Sequence, residues 1–142
     1  MKTALFALAL LLSGCAASTP ATVGTPAPPN SPQSTVALTV NTVADTDQAA
    51  VRTIISLRDQ AKISPADTTV IENWLALAAT TDKQIGLILA KPETWAQQKV
   101  EIYTLLATVT APTIATTIDP GAQAAVAQIV TLLNTIKTQV QP

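Results

Sequence analysis

Apolar residues recur three and four positions apart near the C-terminus, which is the spacing of one face of an α-helix. At 100° per residue they fall within an arc of about 160°, with threonine, glutamine and asparagine opposite. Asp119 followed by Pro120 is a favourable helix start, because the carboxylate accepts backbone N–H bonds and proline suits the first turn. The pattern therefore predicts an amphipathic helix whose apolar positions are Ala122, Ala125, Val126, Ile129, Val130, Leu132, Leu133, Ile136 and Val140.

Two further helix starts precede this one. Asp45 has Gln48 three residues later, which is capping-box spacing, and Ser64 is followed by Pro65. Apolar residues continue at helical spacing over 66–109, where Pro92 makes either one kinked helix or two. No internal repeat or sustained heptad is evident. Because amphipathic helices bury their apolar faces best against each other, we expect an all-α fold, a small bundle of three to four helices over 45–142.

The segment before this bundle is rich in proline and small polar residues. Five of the ten prolines lie between positions 20 and 32, with little apolar surface to offset the entropy of ordering. We expect residues 15–44 to form a disordered Pro/Thr/Ala-rich tether. Val36–Val43 contains β-branched residues that partly alternate, and a strand, an extended stretch and a short helix all remain open for it.

The first fourteen residues have the pattern of a secretory signal peptide. Lys2 precedes a continuous apolar run that ends at Leu12, followed by the small residues Ser13 and Gly14. The run is about 10 residues long and spans roughly half of a bilayer core, too short for a transmembrane helix.

Leu12-Ser13-Gly14-Cys15 resembles the lipobox of bacterial lipoproteins, in which an invariant cysteine follows an aliphatic and two small residues. The resemblance covers residues 1–15 and every position fits. It implies cleavage between Gly14 and Cys15, a diacylglycerol on the Cys15 thiol, and acylation of the new amino group. Since each buried CH₂ contributes ~0.8 kcal/mol, two or three acyl chains would hold the protein firmly on a membrane. Ala16 rather than Asp after the cysteine favours the outer membrane, facing the periplasm.

Composition excludes several classes of function. With 8 basic and 9 acidic residues the formal net charge is −1, which gives no electrostatic basis for binding nucleic acid. The chain has no histidine and one cysteine, so the commonest zinc ligands, the usual general base and an internal disulfide are all missing. No phosphate-binding or dinucleotide-binding motif is present. We therefore expect neither catalysis nor a cofactor or metal.

The remaining acidic and aromatic residues offer only weak candidates for a site. Asp82 and Glu101 would form an acid–base pair only if the fold brought them together, and solvated surface carboxylates are the expected reading. Trp74, Trp95 and Tyr103 are candidates for an interaction surface or a ligand pocket, although both tryptophans occupy positions of the apolar stripe.

The function predicted from the sequence is a small non-catalytic lipoprotein of the bacterial envelope. It would present a helical module to an envelope partner that the sequence leaves unidentified. A prophage or phage accessory lipoprotein acting on the host envelope, and a bundle that binds a small ligand, are the alternatives.

Overall fold

The protein is described by a computed structural model, which places residues 27–114 and 118–142. These residues form four helices and no strand: α1 (Pro32–Asp59), α2 (Pro65–Leu89), α3 (Trp95–Ala107) and α4 (Pro120–Gln139). The expected all-α bundle is therefore confirmed. The signal peptide, the lipobox with Cys15 and the first part of the expected tether lie outside the described residues.

Helix α1 begins much earlier than the sequence pattern suggested. Ser31 caps it, accepting a hydrogen bond from the backbone N–H of Ser34 at 3.1 Å, and Pro32 occupies the first turn. Residues 32–44, which we assigned to the tether, are therefore helical, and Asp45 lies inside the helix rather than at its N-cap. The assignment at Asp45 was wrong because capping-box spacing also occurs within helices.

The segment Val36–Val43 is also helical, which resolves its open assignment. Val36, Val40 and Val43 are buried in the core. β-Branched residues lower helix propensity only by tenths of a kcal/mol, whereas burying one valine side chain contributes about 1.5 kcal/mol or more. Tertiary packing therefore outweighs local preference here.

The buried positions of α1, and those of α2 other than Trp74 and Thr81, follow a heptad spacing that the sequence pattern did not predict. They alternate three and four residues apart along each helix, as in a coiled coil. The reason for the omission is that a carboxylate occupies one position in each series. The α1 series is Val36, Val40, Val43, Asp47, Ala50, Ile54 and Leu57, and the α2 series is Thr68, Ile71, Leu75, Ala78, Asp82 and Ile85.

The region 66–109 contains two helices rather than one kinked helix. Thr94 caps α3 with a capping box: its hydroxyl accepts from the N–H of Gln97, and the Gln97 side chain accepts from the N–H of Thr94. Pro92 therefore lies in the connection and does not open the helix. The predicted starts of α2 at Ser64 and of α4 at Asp119 are confirmed.

Helix α1 packs against both α2 and α4, while α3 closes the bundle against α2 and α4. The face predicted for α4 is the one it buries. The core is mostly aliphatic, and its largest fully buried apolar side chains are Ile54, Ile71, Leu75, Ile85, Ile102, Ile129 and Ile136.

One buried amide ties three elements together at the end of the bundle where α1 begins. Gln98 of α3 is 1% exposed. Its Oε1 accepts from Nε2 of Gln33 at 2.8 Å, and its Nε2 donates to the carbonyls of Lys91 at 3.0 Å and Leu89 at 3.3 Å. Buried polar groups of this kind must be paired, because leaving one unsatisfied costs about 1–3 kcal/mol.

We expect Gln98→Ala to lower the free energy of unfolding by about 2–3 kcal/mol, because it leaves a cavity and several unpaired polar groups. Urea denaturation followed by circular dichroism measures this. Gln128→Ala on the exposed face of α4 is the matched control and should change the free energy by less than about 0.5 kcal/mol. Equal effects of the two variants would contradict the role of Gln98.

Candidate functional site

The three aromatic candidates lie in different environments. Trp74 is buried, and its indole N–H donates to the backbone carbonyl of Thr110 at 2.8 Å. Trp95 and Tyr103 of α3 are half-buried against the core. The ammonium group of Lys137 lies 5.7 Å from the centre of the Tyr103 ring, within the range of a cation–π contact.

The burial of these three side chains indicates which of them have a structural role and which could contact a partner. Trp74 packs in the core and anchors the chain that follows α3, so it offers little surface to a partner. Trp95 and Tyr103 keep exposed surface on α3, and contact with a partner through them stays a prediction.

The structure places Asp82 and Glu101 in separate environments. Glu101 accepts a hydrogen bond from the ammonium of Lys91, which also lies 3.8 Å from Glu93. The hydrogen bond to Lys91 holds the pKa of the Glu101 carboxyl below its usual value and raises the pKa of Lys91. Glu101 is thus paired with Lys91 at the surface. Asp82 instead faces Asp47 across the interface of α1 and α2.

Asp47 and Asp82 form a buried carboxylate pair. Each side chain is only 8% exposed, and the Oδ1 atom of each is buried without a hydrogen-bond partner among the described residues. The helices run antiparallel, and the ion pair of Arg58 with Glu72 marks their alignment. Asp47 lies about three turns before Arg58 along α1. Asp82 lies about three turns after Glu72 along α2. Because the helices are antiparallel, the two carboxylates therefore lie at the same level of the helix pair.

Burial and mutual repulsion both favour the protonated form of this pair. Burial, and then the charge of Asp47, raise the pKa of Asp82 from 3.8 to about 6. Burial also raises the pKa of Asp47. The expectation that Asp82 is a solvated surface acid was therefore wrong. Sequence reasoning could have found the pair from the heptad spacing, which places each aspartate where an apolar residue belongs.

An apolar groove lies on another side of α2, between its C-terminal half and α3. It encloses about 550 Å³ and is mostly apolar. Leu87 and Val100 at its walls are 61% and 54% exposed. The residues lining it are Gln84, Leu87, Ile88, Val100, Glu101, Thr104 and Leu105, so neither the three aromatic candidates nor the aspartate pair contribute to it.

Comparison with known proteins gives no relative: the chain matches no family model, no curated protein and no solved structure. Within residues 27–114 and 118–142, no helix is long and apolar enough to cross a membrane. The same residues include no group of three or more histidine, cysteine or acidic side chains placed to hold a metal ion.

We expect the stability of the bundle to fall as the pH rises from about 4 to about 6. A carboxyl group whose pKa is raised on folding contributes stability that is complete below its unfolded pKa of 3.8 and is lost as the pH passes its folded pKa of about 6. The raised pKa of Asp82 contributes up to about 3 kcal/mol to this loss, and the raised pKa of Asp47 adds to it.

The matched measurement compares Asp82→Asn with the parent protein by urea denaturation at pH 4 and pH 7. Asparagine does not ionise, so the variant should gain stability relative to the parent at pH 7 and gain much less at pH 4. Asp45→Asn, at an exposed position of α1, is the control and should leave the pH dependence unchanged. A parent–Asp82→Asn difference that is the same at both pH values would refute the buried pair.

Proposed function

We propose that the protein is a small, non-catalytic lipoprotein of the bacterial cell envelope that presents its helical bundle as an interaction module. The observation that carries the proposal is the position of the one cysteine. Cys15 stands behind an apolar run and two small residues, where acylation of the thiol requires it. The outer membrane, with the bundle on the periplasmic side, is the location that Ala16 favours.

The arrangement of the helix ends is compatible with such an anchor. Gln33 near the start of α1 contacts Gln98 near the start of α3, and the ammonium of Lys99 donates to the carbonyl of Gln141 after α4. The chain therefore enters the bundle at the end where α3 begins and α4 finishes. Residues 16–31 would reach up to about 50 Å from a lipidated Cys15 if they were extended at ~3.1 Å per residue.

A tether of that length allows the bundle to contact other envelope components without contacting the membrane. The helices of the bundle are long, and the apolar groove between α2 and α3 is exposed on one side of it. Exposed apolar surface of this kind is typical of interaction sites. These features support a binding or bracing role.

The groove also favours a second candidate, the binding of a small apolar ligand. Its volume of about 550 Å³ lies in the range of small-molecule sites, and its walls are mostly aliphatic. An apolar fluorescent dye that binds the parent protein, but not a Val100→Glu variant, would favour this candidate.

We expect Cys15→Ser to move the protein from the detergent phase to the aqueous phase in detergent phase separation, or to leave its signal peptide uncleaved. The serine hydroxyl does not replace the thiol as the acceptor of the diacylglycerol. Incorporation of a labelled fatty acid should be lost at the same time. Ala16→Ser, one residue beyond the cleavage position, is the control and should remain lipidated. Unchanged partition of Cys15→Ser would refute the lipoprotein proposal.

A further inference from the structure

Helix α2 carries a second row of residues at coiled-coil spacing, on the side turned away from α1. We call this row the outer seam. Its positions also alternate three and four residues apart, and all of them are exposed. The members are Val70, Asn73, Leu77, Thr80, Gln84 and Leu87. α1 covers the first series of α2, whereas none of the described helices covers the outer seam.

The outer seam contains half of the large apolar side chains that the described residues expose. Leu87 is 61% exposed, Leu77 46% and Val70 44%. Val100 of α3, which lines the groove beside Leu87, is exposed as well. Apolar side chains at heptad spacing on one helix face match another helix laid along them. The seam therefore fits a helical partner.

The outer seam is complementary to itself in the reversed direction. When a second α2 lies antiparallel on the first, Val70 comes opposite Leu87, Asn73 opposite Gln84, and Leu77 opposite Thr80. Apolar residues then meet at both ends. Between them the two amides can exchange hydrogen bonds, which a buried polar layer requires.

Charge along one flank of the seam selects the antiparallel direction. Glu72 and Lys83 lie on the same flank, on opposite sides of the middle of α2, and both are exposed. In an antiparallel pair each Lys83 comes beside the partner's Glu72, and the contact occurs twice. Glu72 uses Oε1 for Arg58 at 3.5 Å, which leaves Oε2 for the lysine. In a parallel pair, Glu72 and Lys83 would instead lie beside the side of the partner's α2 that faces α3. The contact between Lys83 and the partner's Glu72 would then not form.

We propose that a second copy of this chain docks on the outer seam, forming an antiparallel α2–α2 pair about a two-fold axis that passes between Leu77 and Thr80. The proposal rests on the proposed role as an interaction module and does not depend on the lipid anchor. The partner's Val70 then lies opposite Leu87, so the N-terminal part of its α2 approaches the apolar groove. Polar residues in the seam lower the affinity and define the alignment.

Disulfide trapping tests the alignment in the full-length protein. We expect the double variant Val70→Cys/Leu87→Cys to form a covalent dimer on oxidation in intact cells. Each single variant should form none, because the two copies of either position lie about 25 Å apart along an antiparallel pair. The same separation prevents a bond within one chain. Co-expression of the two single variants, one carrying a tag, should give the mixed dimer.

The control variant is Leu38→Cys, which places a thiol at a 68% exposed leucine outside the seam. A single variant at Val70 or Leu87 that dimerises as efficiently as the double variant would overturn the antiparallel pair. Failure of the double variant to exceed Leu38→Cys would overturn it too. A covalent dimer of the parent protein through Cys15 would instead show a free thiol there, and so would count against the lipid anchor alone.

Charge reversal distinguishes a second copy from any other partner. In the double-cysteine background, Lys83→Glu should weaken the association about tenfold, because two attractive contacts become repulsive. Adding Glu72→Lys restores the attraction only if the partner carries both changes, as a second copy does. A thermal melt confirms that each variant is folded. Lack of rescue in a folded double-reversal protein would overturn the proposal.

Discussion

The fold depends on burying one side of α1, since this helix makes the most extensive contacts in the bundle, with α2 on one side and α4 on the other. Seven of its positions, from Val36 to Leu57, lie in the core at heptad spacing. This burial explains why the helix extends back to Pro32 through a valine-rich stretch with modest helix propensity. The cap at Ser31 then determines where helix begins, because it supplies an acceptor for a first-turn N–H that has no partner within the helix.

The same interface contains two buried carboxylates, Asp47 and Asp82, each with an oxygen atom that has no hydrogen-bond partner among the described residues. Two carboxylates that face each other without a basic partner reduce stability at neutral pH, when at least one must ionise in a mostly apolar layer. At low pH the protonated Asp82 is neutral, so the repulsion that opposes this alignment of α1 on α2 acts only when the pH rises past its raised pKa.

The proposed interaction role depends on which part of the surface would be next to the anchor and which part would be open to a partner. The amide of Gln98 joins α1, α3 and the end of α2 where the chain enters the bundle, so an N-terminal anchor would act on a rigid end. The outer seam of α2 and the adjoining groove face away from α1. A copy bound there leaves both tethers free, and attachment to one membrane would raise the effective concentration of the two copies. The proposed anchor and the proposed interface thus use separate parts of the molecule.

The sequence by itself determined the helical class and the starts of α2 and α4, because caps, prolines and the 3.6-residue period are local features. It also predicts the lipid anchor, a local motif that lies outside the described residues. Only the tertiary structure decided that Val36–Val43 is helical, that Asp82 meets Asp47 rather than Glu101, and that Trp74 is buried. Each of these depends on which surface another helix covers. Local propensities of tenths of a kcal/mol cannot specify that choice, whereas burial of whole side chains can.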